Sequence, residues 1–278
     1  MHTRGDRLRS WGLAIWSALA LLYLFIPIFI VVLFSFNDNK GRFNFTWQGF
    51  TLDHWLHPFQ DPDLSNAMVK SLQIAAIATV VSAVLGTLLA VALVRHRFRG
   101  RGAADLFVFL PMATPEVVLG ASLLALFLVV NVNTGFVTIV LAHIMFSMSY
   151  VVVTVKARLE GMDPHIEEAA QDLGAGTVTT FMKITLPMIW PGVIAAAVLA
   201  AALSIDDYVI TSFNAGQTIT FPLFIFGATR QGVPAEVNVL ATMLLIVVLI
   251  LMGINVIVQR RLNRRDRGLV AEGVEVAA

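Results

Sequence analysis

No cysteine occurs among the 278 residues, which excludes disulfides, thiol chemistry and cysteine metal sites. Charge is scarce too: 13% of residues are charged and 58% hydrophobic, with a mean hydropathy of +0.80, whereas about a quarter of the residues of a soluble domain carry charge. The sequence also has no Gly-x-x-x-x-Gly-Lys-Ser/Thr phosphate loop, so it has no such route to binding ATP. No nucleophile stands with a base and an orienting acid at recognisable spacing, which argues against an enzyme. What remains is a polytopic membrane protein. At about 20 apolar residues per crossing, this length holds six or seven helices and little else.

Runs free of charge place six spans. The first lies between Arg9 and Asp38, too long for the apolar core of a cleaved signal peptide, and is retained. The second covers Ser71 to Val94. The third starts near Ala103, carries Pro111, Pro115 and Glu116, and reaches about Val130, where Asn131-Val132-Asn133-Thr134-Gly135 makes a turn. The fourth runs from Phe136 to Val155, the fifth from Trp190 to Phe213, and the sixth from Val237 to Gln259. Six spans return both termini to one side.

Basic residues supply the orientation. Of the 19 Lys and Arg, 15 fall in four groups: Arg4, Arg7 and Arg9; Arg95, Arg97, Arg99 and Arg101; Lys156, Arg158 and Lys183; and Arg260, Arg261, Arg264, Arg265 and Arg267. The positive-inside rule makes all four cytoplasmic, and they report topology rather than nucleic-acid contact. Residues 1–10 then form a cytoplasmic N-terminus, 11–260 one membrane domain, and 261–278 a cytoplasmic, disordered tail. The outer segment from Asn37 to Asn66, with Trp47, Phe50, Trp55, His54 and His57, suits a membrane interface and not a metal site.

The cytoplasmic loop 158–189 carries the densest local pattern. Asp163-Pro164 suits a helix start. Ile166, Ala169, Ala170 and Leu173 recur at helical spacing, with His165, Glu167, Glu168, Gln171 and Asp172 on the other faces. Gly174 fits the position after a helix end, and a second helical piece over about Thr177 to Ile184 is expected to end before Pro187. Glu168-Ala169-Ala170, three residues, Gly174, nine residues, then Ile184-Thr185-Leu186-Pro187 resembles the coupling loop of the permease subunits of bacterial ATP-binding cassette importers. The small Ala169 and Ala170 allow close approach to a partner's cleft, and Glu168 offers a charge-assisted hydrogen bond.

Intramembrane acids mark candidate points on a solute path, since a charge at the bilayer centre costs about 2.5–3.5 kcal/mol even on insertion scales. Three stand out. Glu116, about 13 residues into the third span, is expected near mid-membrane and facing the pore. Asp206 and Asp207 lie toward the outer leaflet in the fifth and, as helix neighbours, cannot share a face. Asp207 aligns with Ser204, Thr211 and Asn214 in a polar stripe, which assigns it to the pathway wall and leaves Asp206 to bond a neighbouring helix or subunit. A lone His143 is expected to be satisfied in the packing, and Lys70 to snorkel. Acids without competing basic residues favour a cationic solute, with Tyr208 and Phe213 adjacent for ring contacts.

Over nearly the whole chain the likeness narrows. Phe34-Ser35-Phe36-Asn37, Trp47-Gln48-Gly49-Phe50-Thr51, Arg95-His96-Arg97-Phe98-Arg99-Gly100, Val151-Val152-Val153-Thr154-Val155, Ser204 through Phe213 with its double aspartate, and Glu236-Val237-Asn238 resemble the second permease subunit of spermidine/putrescine-type importers. The resemblance implies an all-α membrane protein of six transmembrane helices, with the type I importer permease fold and a cytoplasmic coupling helix, in the bacterial inner membrane. It implies coupling through Glu168, Ala169, Ala170, Gly174, Ile184, Leu186 and Pro187, and a polyamine path along Glu116, Asp206, Asp207 and Tyr208. The implied partners are a homologous permease completing a heterodimer, a cytoplasmic ATPase dimer that binds the ATP and magnesium, and an extracytoplasmic solute-binding protein, with transport by alternating access. Glu116 stands where the family commonly has Asp. Permeases for thiamine, iron or phosphonate compounds share the loop and layout, so the same machine for another solute is the alternative; an ion-coupled carrier is disfavoured by the coupling loop.

Overall fold

The computed structural model describes residues 4–41, 43–250, 253 and 257. Every element among them is helical, apart from one isolated bridge between Asn37 and Phe50. The chain divides into two compact units, one made of the segments up to Pro62 and from Gly227, the other of Asp63–Phe226.

In the first unit, α1 spans Arg4–Phe34. Its Trp11–Phe34 portion has a mean hydropathy of 2.7 and no residue buried against the rest of the chain, so hydrocarbon or another apolar surface must solvate it. The following loop folds around Asn37, whose buried amide donates to Asn44 Oδ1 and the Thr46 carbonyl and whose Oδ1 accepts from the Gln48 N–H. Phe36 stacks between Phe50 and Trp55, with ring centroids 5.7 and 5.2 Å away. Asp53–Leu56 forms α2, where His54 Nδ1 lies 3.2 Å from Glu236 Oε1.

In the second unit, α3 (Pro62–Arg95), α4 (Arg101–Ala113), α5 (Glu116–Val129) and α6 (Phe136–Glu160) precede the short pieces α7 (His165–Asp172) and α8 (Thr177–Thr180). A π-turn over Phe181–Thr185 leads into α9 (Leu186–Asp206), then α10 (Val209–Asn214); α11 (Phe221–Gln231) crosses the division between the units. Ala235–Ile250 is the last apolar helix among the described residues, α12. The remainder of the expected sixth span, to Gln259, and the 261–278 tail lie outside the described residues, apart from isolated positions.

Small and branched apolar residues knit α3, α6 and α9 into one core: Ala90 and Leu93 meet Val151, Val152, Val155 and Leu159, with Ile189, Val193, Ala196 and Ala200 opposite. Gly86 lets α3 and α6 approach. A Cβ there would sit 2.7 Å from Val151 Cγ1.

Three expectations about continuity are corrected. The third span is two helices, α4 and α5, bent by 110°. Pro115 explains the bend: it supplies no N–H to a preceding turn and drives Thr114 out of the helical region, to φ −83° and ψ 133°. Glu116 is thus the first residue of a new helix, not a mid-helix position. The fifth span does not run unbroken to Phe213; it stops at Asp206, and Asp207 is extended at φ −64° and ψ 115°. At its other end no break occurs before Pro187. Helical conformation is continuous over Thr177–Asp206, because the π-turn shifts hydrogen bonding to the fifth preceding residue, Leu186 N–H to Phe181 O, and carries the backbone past the proline.

Substituting Gly86→Leu is expected to lower stability by about 1–3 kcal/mol through overpacking against Val151. Thermal unfolding in detergent measures it, and an unchanged midpoint would refute the close α3–α6 contact.

Candidate functional site

Two places in the second unit combine polar chemistry with irregular backbone. The first is the break between α9 and α10. Free N–H groups open every helix, and here the Asp207 carboxylate takes those of α10: Thr211 N–H at 2.7 Å and Ile210 N–H at 3.3 Å, with the Thr211 hydroxyl at 2.7 Å. From α6, His143 Nε2 lies 3.2 Å from Asp207 Oδ2 and 2.9 Å from Thr211 Oγ1, and Nδ1 lies 2.7 Å from Ser204 Oγ. An imidazole protonated on Nε2 donates to the carboxylate and accepts the Ser204 hydroxyl, so no donor in the cluster goes unused. The side chains of His143 and Asp207 are 3% and 7% exposed.

The polar stripe Ser204, Asp207, Thr211 and Asn214 therefore exists but is turned toward α5 and α6. Asn214 donates to the Ile210 carbonyl and, more weakly, to that of Gly120. At Gly120 a Cβ would lie 2.7 Å from the Phe213 ring, so α10 presses directly on the α5 backbone. His143 is satisfied in the packing, as expected. Asp207, expected on the pathway wall, is instead tied to a neighbouring helix, while Asp206, the last residue of α9, is exposed.

Glu116 is exposed as well, and it interacts electrostatically with Asp206 and with Tyr150 of α6. The two breaks thus leave two acids, 90 residues apart in sequence, within electrostatic reach of each other, and Glu116 within reach of a tyrosine that sequence reasoning missed. A phenol inside a long apolar helix gave no signal by itself. The Tyr208 ring packs on Phe226 at 4.6 Å, and Lys70 Nζ lies 5.5 Å from the Phe136 ring centroid.

The second place is the segment between α6 and α9. Asp163 Oδ1 accepts the His165 N–H at the start of α7. At its end Gly174 is left-handed (φ +88°), with Gly174 N–H bonded to Gln171 O and Ala175 N–H to Ala170 O, the paired closure of a Schellman turn. Ala170 faces inward, whereas Ile166, Ala169 and Leu173 are exposed, Leu173 by 90%. Val178 and Met182 add exposed apolar surface beyond the turn. Ile184 and Leu186 are half-buried and Pro187 is exposed. Glu168 Oε2 lies 3.0 Å from His165 Nδ1, and this contact, followed by the charge of Asp163, raises the pKa of His165 above its ordinary value.

By length and composition, helices this apolar, one pair of them sharply bent, can cross a membrane. Residues 82–267 match the family described as binding-protein-dependent transport system inner membrane component, and the chain belongs to that family. It is 40% identical over 242 residues to the spermidine/putrescine transport system permease protein PotC of Haemophilus influenzae, covering 87% of this chain and 93% of that protein. It is also 40% identical over 235 residues to the putrescine transport system permease protein PotI of Escherichia coli strain K12, covering 82% and 83%. Among solved structures, a bacterial ABC transporter for import of the acidic polysaccharide alginate superposes with a TM-score of 0.68 at 17% identity, covering 91% of this chain and 97% of that one. The MetNI methionine ABC transporter superposes with a TM-score of 0.59 at 15% identity, covering 69% and 92%. The fold is therefore that of an ABC importer permease, a multi-pass inner-membrane protein.

Two outcomes follow. His143→Leu, which leaves Asp207 without its donor from α6, is expected to cost about 1–3 kcal/mol, read by thermal unfolding, with His143→Gln retaining much of the loss. His165 is expected to titrate above about 6.5. Its stabilising contact with Glu168 is complete below that pH and lost as pH rises through the raised value. Histidine NMR of wild type and Glu168→Gln checks this, and an unmoved midpoint would sink it.

Proposed function

We propose that this chain is the transmembrane permease subunit of an ATP-driven importer and forms half of a pathway for polyamines such as spermidine and putrescine. The observation that carries the solute class is the convergence of exposed Glu116 and Asp206 at two helix breaks in an otherwise apolar domain. A polyamine entering the membrane must shed water from several ammonium groups, and fixed carboxylates offset that cost. Tyr150 and Tyr208 supply faces for the methylenes and charge. The names of the PotC and PotI relatives support the same solute.

In this reading Asp207 does not touch solute. It caps α10 and thereby aims Asp206 at the path. The exposed face of α7, Ile166, Ala169 and Leu173 with Glu168 beside it, seats in a cleft of a cytoplasmic ATPase dimer, which holds the ATP and magnesium, and Gly174, Ile184, Leu186 and Pro187 shape the turn and helix behind it. A homologous permease completes the heterodimer. A solute-binding protein delivers the polyamine at the outer face, a reading supported by the alginate transporter structure, solved with a pentasaccharide-bound periplasmic protein. Both termini are cytoplasmic, and ATP binding switches the pathway from inward-facing to outward-facing.

The test is ATP-dependent uptake of labelled spermidine and putrescine into vesicles holding the reconstituted complex. Asp206→Asn and Glu116→Gln are each expected to lower kcat/KM about tenfold or more, equivalent to about 1.4 kcal/mol of lost attraction, without lowering the unfolding midpoint. ATP hydrolysis stimulated by an uncharged or anionic solute, with no polyamine flux, would reject the solute assignment.

A further inference from the structure

Glu167 precedes the glutamate of the coupling pattern and plays no part in the resemblance, yet it is the best-connected residue of α7. Its neighbour Glu168 is 68% exposed, whereas the Glu167 side chain is only 14% exposed. Each carboxylate oxygen has a separate partner on a separate spanning helix. Oε2 lies 3.0 Å from Arg95 Nε, at the last residue of α3. Oε1 accepts the hydroxyl of Thr185 at 2.8 Å, at the end of the π-turn that opens into α9. Thr185 is 3% exposed and the Arg95 side chain 18%. Partly buried charge pairs with additional hydrogen bonds hold their geometry far better than solvated surface pairs.

We propose that Glu167 is a positioning residue for energy coupling: with Arg95 and Thr185 it forms a strut that carries displacement of α7 into α3 and α9 together. The proposal rests on α7 being the element the ATPase moves. Three arguments lead to it. A helix of eight residues, closed by a Schellman turn and exposing Ile166 and Leu173, has little apolar packing of its own on the membrane domain, so its attachment depends on few contacts. α3 and α9 both feed the core in which Leu93 meets the residues opposite Ile189 and Val193, so a load entering at Arg95 and Thr185 enters the bundle at two points. The π-turn, lying between α7 and α9, is the softest section of that route, since its hydrogen bonding departs from the α ladder; a bond from Glu167 to its last residue bypasses it. Without the strut, α7 is free to follow the ATPase while α3 lags.

The experiment uses the full complex with both permeases, the ATPase and the solute-binding protein in vesicles, and measures ATP hydrolysed per labelled spermidine imported. Glu167→Gln, Arg95→Gln and Thr185→Val are each expected to raise that ratio, by about fivefold for the charge variants, the low end of allosteric coupling energies, while the ATPase still co-purifies. The exchange Arg95→Glu with Glu167→Arg is expected to bring the ratio back toward wild type. An unchanged ratio in intact single-variant complexes overturns the strut, as does an exchange no better coupled than its singles. Ala169→Trp separates the two levels of the argument: if it leaves ATPase association and stimulation intact, α7 is not the docking element and both readings fall, whereas loss of association with unchanged ratios in the strut variants removes the strut alone.

Discussion

Backbone hydrogen bonding within hydrocarbon governs this molecule. With no water to accept or donate, each N–H and C=O left open by a break must find a partner inside the protein. At Asp207 the helix stops, and the carboxylate takes two N–H groups of α10 while His143 of α6 secures the carboxylate. The acid is thus part of the scaffold. At Pro115 the solution differs: the ring removes the donor that would otherwise be orphaned, and the Thr114 N–H, at 3.0 Å, and hydroxyl, at 2.7 Å, both close on the Leu110 carbonyl.

These repairs create the polar features available for transport. An unbroken α9–α10 rod would turn Asp206 and Asp207 to faces fixed by helical geometry alone. The break frees the carboxyl of Asp206 at a helix end and retires that of Asp207 into the packing. An unbroken α4–α5 rod would likewise carry Glu116 along its side; the 110° bend places it at a helix start, within electrostatic reach of Asp206. At α7 the same economy of contacts holds. α7 is anchored through Ala170 and Glu167 and leaves its remaining apolar face uncovered, which is what an element moved by another subunit requires.

Much of this was legible in the chain. Charge-free runs located the apolar helices because a bilayer tolerates little else, and α7 was readable down to its capping residue because Pro164, the three-and-four spacing and Gly174 act locally. The break at Asp207 was not readable. Val209 through Asn214 has an acceptable helical pattern, and the carboxylate that caps it is held by His143, 64 residues away in sequence. Nor did Pro187 end the helix, since the π-turn over Phe181–Thr185 carries the backbone past it.

The sequence alone determined the class of protein, the positions of the apolar helices, the spaced pattern of the 158–189 loop and the positions of the acids, because each depends on composition or spacing over a few residues. Tertiary structure alone decided which aspartate is exposed and which is buried, that Glu116 lies within electrostatic reach of Tyr150 and of Asp206, and that Glu167 rather than Glu168 is braced against α3 and the π-turn. Those outcomes depend on which distant side chain offers a buried charge its hydrogen bond, and spacing along one helix carries no record of that.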